Sequence, residues 1–493
     1  MILYGDISSQ PLYENSREDQ VTTKQTEFYY QKLYEREIFL ENQVNNFKKE
    51  LDICTDSKTS MEKLTSPNPM SGQIKTLRSR GTQFIVVFMK NYFPSTRKIF
   101  ITSENGVQIN ISTSPHLDPT LKTQIDQCVT IPSNKNFVIP RGFELNSFKK
   151  EVKSIFIETS AEVFVISHDK GSFTIGITTH IPLHKLSNKY VVISTEPDLS
   201  SFSFKSQLAV ASTVDNTTIS ITFKMKRNLP LKIEGNTYYS GDIFNFSLNR
   251  YETYQIAHET DLTGTFIESS APIAAFSGND CNKLENIGAC DHLSEQLPPI
   301  DSVDTIYIVP PNANDRDTLI RITSMESSNT TFVIGNVTQS LFINKLDYFD
   351  VRISSSQTCF IASDQPSLVT SFGLASSHST FGDPSMTIVP GFNQYLSFYK
   401  IVVPSGYDFD YVSIMIKHSF KDSFRINGRV IEPADIVFEE NVTAANLTYN
   451  VRTIQVSAGE LTAYTVDDEK FGLMFAGVSY YEAYGFSGNS LLL

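Results

Sequence analysis

Four side chains able to hold a metal or pass a proton gather in the stretch NDCNKLENIGACDHLSE: Asp280, Asp291, His292 and Glu295. Calcium is one chemistry open to such a set, because extracellular β-modules bind it through oxygen ligands. The other reading is structural. Short polar side chains satisfy loop backbone groups, and a carboxylate can cap the helical turn that HLSEQL suggests. The structural role is favoured, so no metal is expected. Cys281 and Cys290 flank the same polar, glycine-containing segment. A short disulfide-closed loop is favoured over two free thiols. This is the longest charged interruption in a strand-rich body. Loops on rigid scaffolds are where recognition tends to sit, which makes it the candidate recognition loop.

Other chemistry is hard to find. A phosphate cradle needs a glycine-rich loop between a strand and a helix, and none stands in that setting. The hydrolase elbow GxSxG and the zinc motif HExxH do not occur. His180 and His184 have the spacing of two helical metal ligands, but Pro182 between them forbids a regular helix. The sequence therefore predicts no catalytic residue, no cofactor and no enzyme. Tyr480, Tyr481 and Tyr484 are either an interface hot spot or core residues of the last strand, with core favoured. Gly382-Asp383-Pro384 and Asp261-Leu262-Thr263-Gly264 read as structural turns.

The chain that positions these residues has 493 of them, with 40% hydrophobic, 35 Phe, 22 Tyr and no Trp, which is enough for a large core and favours strands. The net charge of −13 carries no clustered basic face, which argues against nucleic acid. No apolar run reaches the roughly 20 residues of a membrane helix. The remaining cysteines, Cys54, Cys128 and Cys359, form no zinc-like set, and an odd total leaves at least one thiol unpaired. Sequons stand at Asn110, Asn216, Asn245, Asn329, Asn336, Asn441 and Asn446, sites suited to surface glycosylation.

Two regions differ in pattern. Residues 1–80 form a leader. Within it 25–54 is rich in Glu, Lys, Gln and Leu and reads as a helix, with a heptad-like seam from Tyr30 to Cys54 that could join chains. A Pro/Gly/Ser linker, TSPNPMSG, follows. From Gly81 onward, short alternating runs such as Thr218–Phe223, Thr318–Thr323 and Tyr411–Ile416 predict strands with one buried and one wet face. Two strand–turn–strand elements recur in the same order at intervals of about 100 residues. One begins at Ile101, Ala211, Ile322 and Ile416, the other at Phe156, Phe266, Phe360 and Tyr464. A period of that size suits a β-sandwich unit. The expected fold is all-β: four related sandwiches at about 82–185, 186–300, 301–390 and 391–493, with a closed propeller-like assembly as the alternative.

Several segments carry a resemblance. They are GTQFIVVFMKNYF from Gly81, IPLHKLSNKYVVIST from Ile181, NRYETYQI from Asn249, DLTGTFIESSAPIAAFSGNDC from Asp261, CDHLSEQLPP from Cys290, GDPSMTIVPGFNQY from Gly382 and FGLMFAGVSYYEAYGFSG from Phe471. Together they resemble the N-terminal domain of the IgG-Fc-binding protein family over 81–493. The resemblance implies an extracellular module of mucus, matrix or innate-defence type that recognises protein or glycan ligands through loops on rigid sandwiches. It implies secretion, although the first residues, MILYGDISSQPLYENS, show neither the basic nor the apolar region of a signal peptide. The alternative function is a structural scaffold that self-associates through the helix at 25–54.

Overall fold

The computed structural model describes residues 80–490 apart from 199–202, 285–288, 313–314, 377, 445–446 and 489. The leader, its helix at 25–54 with Cys54, the linker, and Asn446 lie outside the described residues. No described helix is long and apolar enough to cross a membrane. What is described is all-β, with strands falling in four groups within 81–179, 189–296, 306–388 and 398–487.

The second and third groups share one plan. Eight strands, counted in order and leaving out the small hairpin of Leu231–Ile233 with Asn236–Tyr238 in the second group, form two sheets: strands 4-3-6-1 in one and 5-2-7-8 in the other. In the second group, Thr217–Thr222 pairs with Ile243–Leu248 and Phe266–Ser269, while Ser206–Ser212 pairs with Thr253–His258 and Ile273–Asn282. Between these sheets lie Leu208, Val210, Ile219, Ile221, Ile256 and Ile267, each at most 1% exposed. Burying an aliphatic side chain contributes about 1.5–3 kcal/mol, so each sandwich is held by its own core. A propeller blade is one radial sheet, not two facing sheets, and the propeller alternative is therefore not supported.

The first and fourth groups vary the plan. In the first, the sixth and seventh strands fuse into one strand, Ile155–Gly171. Its first part pairs with Gly81–Val86 and Val107–Thr113, and its second part with Ser95–Ser103 and Thr174–Thr179. The polar residues Thr159 to Glu162, expected as a turn, instead carry the chain from one sheet to the other. In the fourth, Ile436–Ala444 leaves the sheet of Phe424–Ile426 and pairs with Leu447–Val456. That hairpin packs Val442, Tyr449 and Val451 against the third sandwich.

The expected wet faces are not all wet. Thr217–Thr222 alternates between buried and exposed, but Thr318–Ser324 and most of Phe409–Lys417 are buried on both faces. The reason is that the second face meets another sandwich. Apolar contact crosses every seam: Ile85 and Phe156 with Ala209 and Phe276, Leu297 with Leu368 and Met386, Ile322 with Met415 and Val451, and Ile175 and Ile177 with Leu473 and Phe486. The four sandwiches thus close on one another, and their eighth strands meet at the centre. These axial strands are β1 (Thr174–Thr179), β2 (Asp291–Gln296), β3 (Ser385–Ile388) and β4 (Glu482–Ser487).

Candidate functional site: a buried carboxylate hub

The eighth strand of each sandwich is a sheet edge, and an edge strand leaves a row of backbone N–H and C=O groups unpaired. The axial strands do not pair with one another through the backbone. Side chains of β2 do that work. One oxygen of Asp291 accepts from Ile175 N at 2.7 Å in β1, and the other accepts from Ala483 N at 3.0 Å in β4. Glu295 accepts from Thr179 N and from Ile388 N, each at 3.4 Å. The Gln296 amide oxygen accepts from Ile181 N at 3.0 Å and lies 3.1 Å from His180 Nδ1. Thr178 Oγ1 donates to Ser294 O at 3.0 Å. One polar strand from the second sandwich therefore ties the first, third and fourth together.

One glycine permits the approach of the first sandwich to β2, and a second permits the close pairing of β2 with its own sheet. A Cβ on Gly176 of β1 would lie 2.7 Å from the His292 carbonyl oxygen, and one on Gly278 would lie 1.9 Å from that of Leu293. Both positions exclude any larger residue.

Electrostatics follow from burial. Asp291 is fully buried, which drives its carboxyl well above the ordinary range, with Asp383 and Glu482 adding repulsion. Burial raises Glu295 in the same way. Asp383, at the Gly382 turn, is pushed up to about 6, chiefly by burial. It accepts from Ala289 N at 3.0 Å, and its peptide oxygen takes Arg316 Nη2. Burial lowers Arg316 to about 10. His180 falls to about 4 by burial, against the opposing hydrogen bond to the Gln296 oxygen. Below Glu295 and Gln296 the axis opens into a cavity of about 50 Å³ lined also by Thr179, Gln394 and Ser487. That is room for a few waters at about 10–15 Å³ each.

The sequence-predicted site residues are placed differently from expectation. Asp291, His292 and Glu295 lie on a buried strand, and HLSEQ forms no helical turn. Asp280, 7% exposed, lies near the end of the neighbouring strand Ile273–Asn282. Its carboxyl accepts from Lys205 N and Cys281 N, and burial raises it to about 6. His292 Nδ1 contacts the Asp280 carbonyl oxygen at 3.2 Å. None of the four is presented on an exposed loop. The physical reason is that their polar atoms are spent on backbone groups, those of Asp280 and His292 within the second sandwich and those of Asp291 and Glu295 between sandwiches. Among the described residues no cluster of three metal-ligating side chains occurs. Cys281 and Cys290 are disulfide-bonded and buried beside Phe204, Cys128 is also disulfide-bonded, and Cys359 is a buried thiol.

The sequons lie away from the hub. Asn216, Asn245, Asn329, Asn336 and Asn441 are exposed, while Asn110 is half-buried with its amide 3.3 Å from Glu158. Tyr480 is exposed and Tyr484 is buried, with its hydroxyl donating to Asp410 at 2.6 Å. Asp261 does more than close a turn. It accepts from Thr263 N at 2.9 Å and also takes Arg321 Nη1 at 2.8 Å and Tyr348 OH at 2.9 Å across the seam between the second and third sandwiches. Sequence reasoning missed Arg316 and Arg321. A lone arginine inside an apolar run, as in TLIRITS, is the signal that could have marked the second.

The profile of a family described as IgGFc binding protein matches residues 177–477. The human IgGFc-binding protein is 23% identical over 334 residues, which cover 66% of this chain but 6% of that protein. Among solved structures, the major pilin from Streptococcus pyogenes aligns over 82% of this chain and 99% of its own, at 6% identity and a TM-score of 0.15. A Ca2+-stabilised, ice-binding adhesin of an Antarctic bacterium aligns over 83% and 98%, at 9% identity and a TM-score of 0.10. Scores that low support no structural argument.

Proposed function

This chain belongs to the IgGFc-binding protein family, and from that premise we propose that it is a non-enzymatic, extracellular binding module displaying recognition surfaces on four mutually locked β-sandwiches. The family match over 177–477 carries the reading. Three features support it. Disulfides at Cys281–Cys290 and at Cys128 fit an oxidising compartment. Five exposed sequons suit secretion. The most perturbed carboxylates accept from backbone N–H groups of neighbouring sandwiches, which favours a structural role for them over acid–base chemistry. The human relative's name states that it binds IgG Fc. For this chain an Fc-type protein is one candidate among protein and glycan ligands of mucus, matrix or innate defence.

Two measurements test the reading. Peptide mass spectrometry on unreduced protein from its natural source is expected to find glycans on Asn245, Asn329 or Asn336 and the Cys281–Cys290 link. Bare asparagines together with free thiols would overturn extracellular residence. Arrays of extracellular proteins, including IgG Fc, and of glycans are expected to retain the full chain on at least one class. No retention on any of them would sink the binding-module reading.

A further inference from the structure

We propose that the cleft between the first and second sandwiches binds a carboxylate-bearing sugar, such as an acidic glycan terminus, with Arg250 receiving the carboxylate. The inference rests on the reading of the chain as a binding module and names one site on it. The cleft has a volume of about 480 Å³, within the ~300–1,000 Å³ of small-ligand sites. It is lined by Ser114, Pro115, His116 and Val152 from one sandwich and by Asp215, Asn216 and the turn at 249–252 from the other.

That turn is held rigidly. Tyr251 sits in the left-handed region at φ 71°, uncommon for a bulky residue. Its carbonyl accepts from Ser154 Oγ at 3.0 Å, which fixes the turn to the first sandwich. Asp215 accepts from Arg250 N at 3.0 Å, and Asn249 Oδ1 accepts from Asn216 N at 3.1 Å. Glu252 accepts from Asn249 N at 2.6 Å and lies 3.8 Å from Lys150 Nζ. Both acids in the lining are therefore already engaged.

Arg250 is different. Its guanidinium lies 4.8 Å over the Phe156 ring and 5.1 Å from the Tyr251 ring centroid. Among the described residues it has no carboxylate partner and no acceptor for its side-chain N–H groups, and the residue is exposed. Stacking orders a planar fork of donors without consuming them, and that fork matches a carboxylate in two parallel hydrogen bonds. The rest of the wall suits a polyol. The Asn249 amide nitrogen and the exposed His116 ring offer hydrogen bonds to hydroxyls, while Pro115, Val152 and Tyr251 offer an apolar flank to the C–H face of a sugar ring. A peptide carboxylate would engage Arg250 but would leave most of this polar wall unused.

The test is calorimetric titration of the full chain with sialyllactose, neutral lactose and a glutamate-rich peptide. Asn216→Gln is the background, because it removes the sequon at the cleft rim and keeps the amide. The expected result is binding of sialyllactose, with lactose weaker by about tenfold or more, roughly the loss of one charge-assisted pair. Arg250→Ala is expected to lose a similar factor with its melting transition retained. Arg250→Lys, which keeps the charge without the fork, is expected to fall between. Equal binding of lactose, undiminished binding by Arg250→Ala, or tighter binding of the glutamate-rich peptide through Arg250 would each overturn the proposal. If sialyllactose fails to bind while the arrays still retain the chain, this site is wrong and the binding-module reading stands. If the arrays also retain nothing, that reading fails too.

Discussion

The axial strand β2 and the outer turn at 249–252 both place acids beside backbone amides, yet they put them to different use. At the axis Asp291 and Glu295 each receive N–H groups from two other sandwiches, and both carboxylates are spent there. At the outer turn Asp215 and Glu252 satisfy the turn's own amides and leave a stacked arginine facing an open cleft. The difference is one of position in the assembly. Sheet edges that converge need internal acceptors, whereas a turn at an outer seam can spend its acids locally and present a cation.

The largest expected effects come from the inner seams. Asp261 is completely buried and pairs with Arg321, itself 3% exposed on its side chain. Burial opposes ionisation of Asp261, but the guanidinium overrides it and holds the carboxyl below its usual range. Asp261→Ala leaves a buried guanidinium with Asp350 as its one carboxylate partner beside the neutral Ser194 and Thr263 oxygens, and breaking a buried pair costs about 3–5 kcal/mol. Urea denaturation should show that loss. A cost under about 1 kcal/mol would mean that Asp350 and Tyr348 suffice, and that the seam is held by apolar contact.

Asp291→Ala comes next. It orphans the N–H groups of Ile175 and Ala483, at about 1–3 kcal/mol each. Glu295→Ala should cost less, because both of its hydrogen bonds are long at 3.4 Å. Denaturation midpoints that reverse this order would break the comparison, because they would show the hub to be packing rather than hydrogen bonding.

The legible and illegible parts of the chain divide along the same line. Outer strands such as Thr217–Thr222 follow the alternation and turn residues of the sequence closely, because one face meets a core and the other meets water. The DHLSEQ segment read as a charged loop with a helical turn. It is a strand because its polar side chains serve as the missing partners of neighbouring edges, a tertiary fact with no local trace. Thr159 to Glu162 misled for a related reason. Polar residues where a strand passes between sheets look like a turn. For the cleft, Arg250 and Tyr251 are visible in NRYETYQI, but the Phe156 ring beneath the guanidinium belongs to another sandwich.

The hub should also give stability a pH signature. Asp291 and Glu295 are raised in the folded state, so the folded chain binds more protons than the unfolded chain. Their contribution is full below the unfolded carboxylate range, near pH 4, and is lost as pH rises through their folded values. Asp280, Asp383 and Asp410, each raised to about 6, lose theirs as pH passes that value. His168 and His180, lowered by burial to about 3 and 4, act in the opposite sense: theirs is present above about pH 6.5 and lost on acidification. The two sets oppose between about pH 4 and 6.5, and above that range the carboxylates act alone. Melting temperature should therefore fall as pH rises above about 6.5 until these two carboxyls have lost their protons, and the double variant Asp291→Asn, Glu295→Gln should flatten the slope. An unchanged slope in that variant would assign it to other groups.

The smallest effect is expected at the cleft, and it separates recognition from structure most sharply. Arg250→Ala removes two cation–π contacts, worth about 0.5–1 kcal/mol together at an exposed site. Nothing buried loses its partner, because Asp215 accepts from the peptide N–H, which alanine retains. Phe156, at 2% exposure, loses its cover over one face but stays anchored among Ile85, Ala209 and Phe276. Thermal denaturation should thus place Arg250→Ala close to the parent and well above Asp291→Ala. If the two variants are equally destabilised, the arginine is a lid on the Phe156 core, and the outer seam is built on the same principle as the axis. If Arg250→Ala is near-neutral, the stacked guanidinium contributes little to folding, and an exposed cation held that rigidly is left with binding as its role.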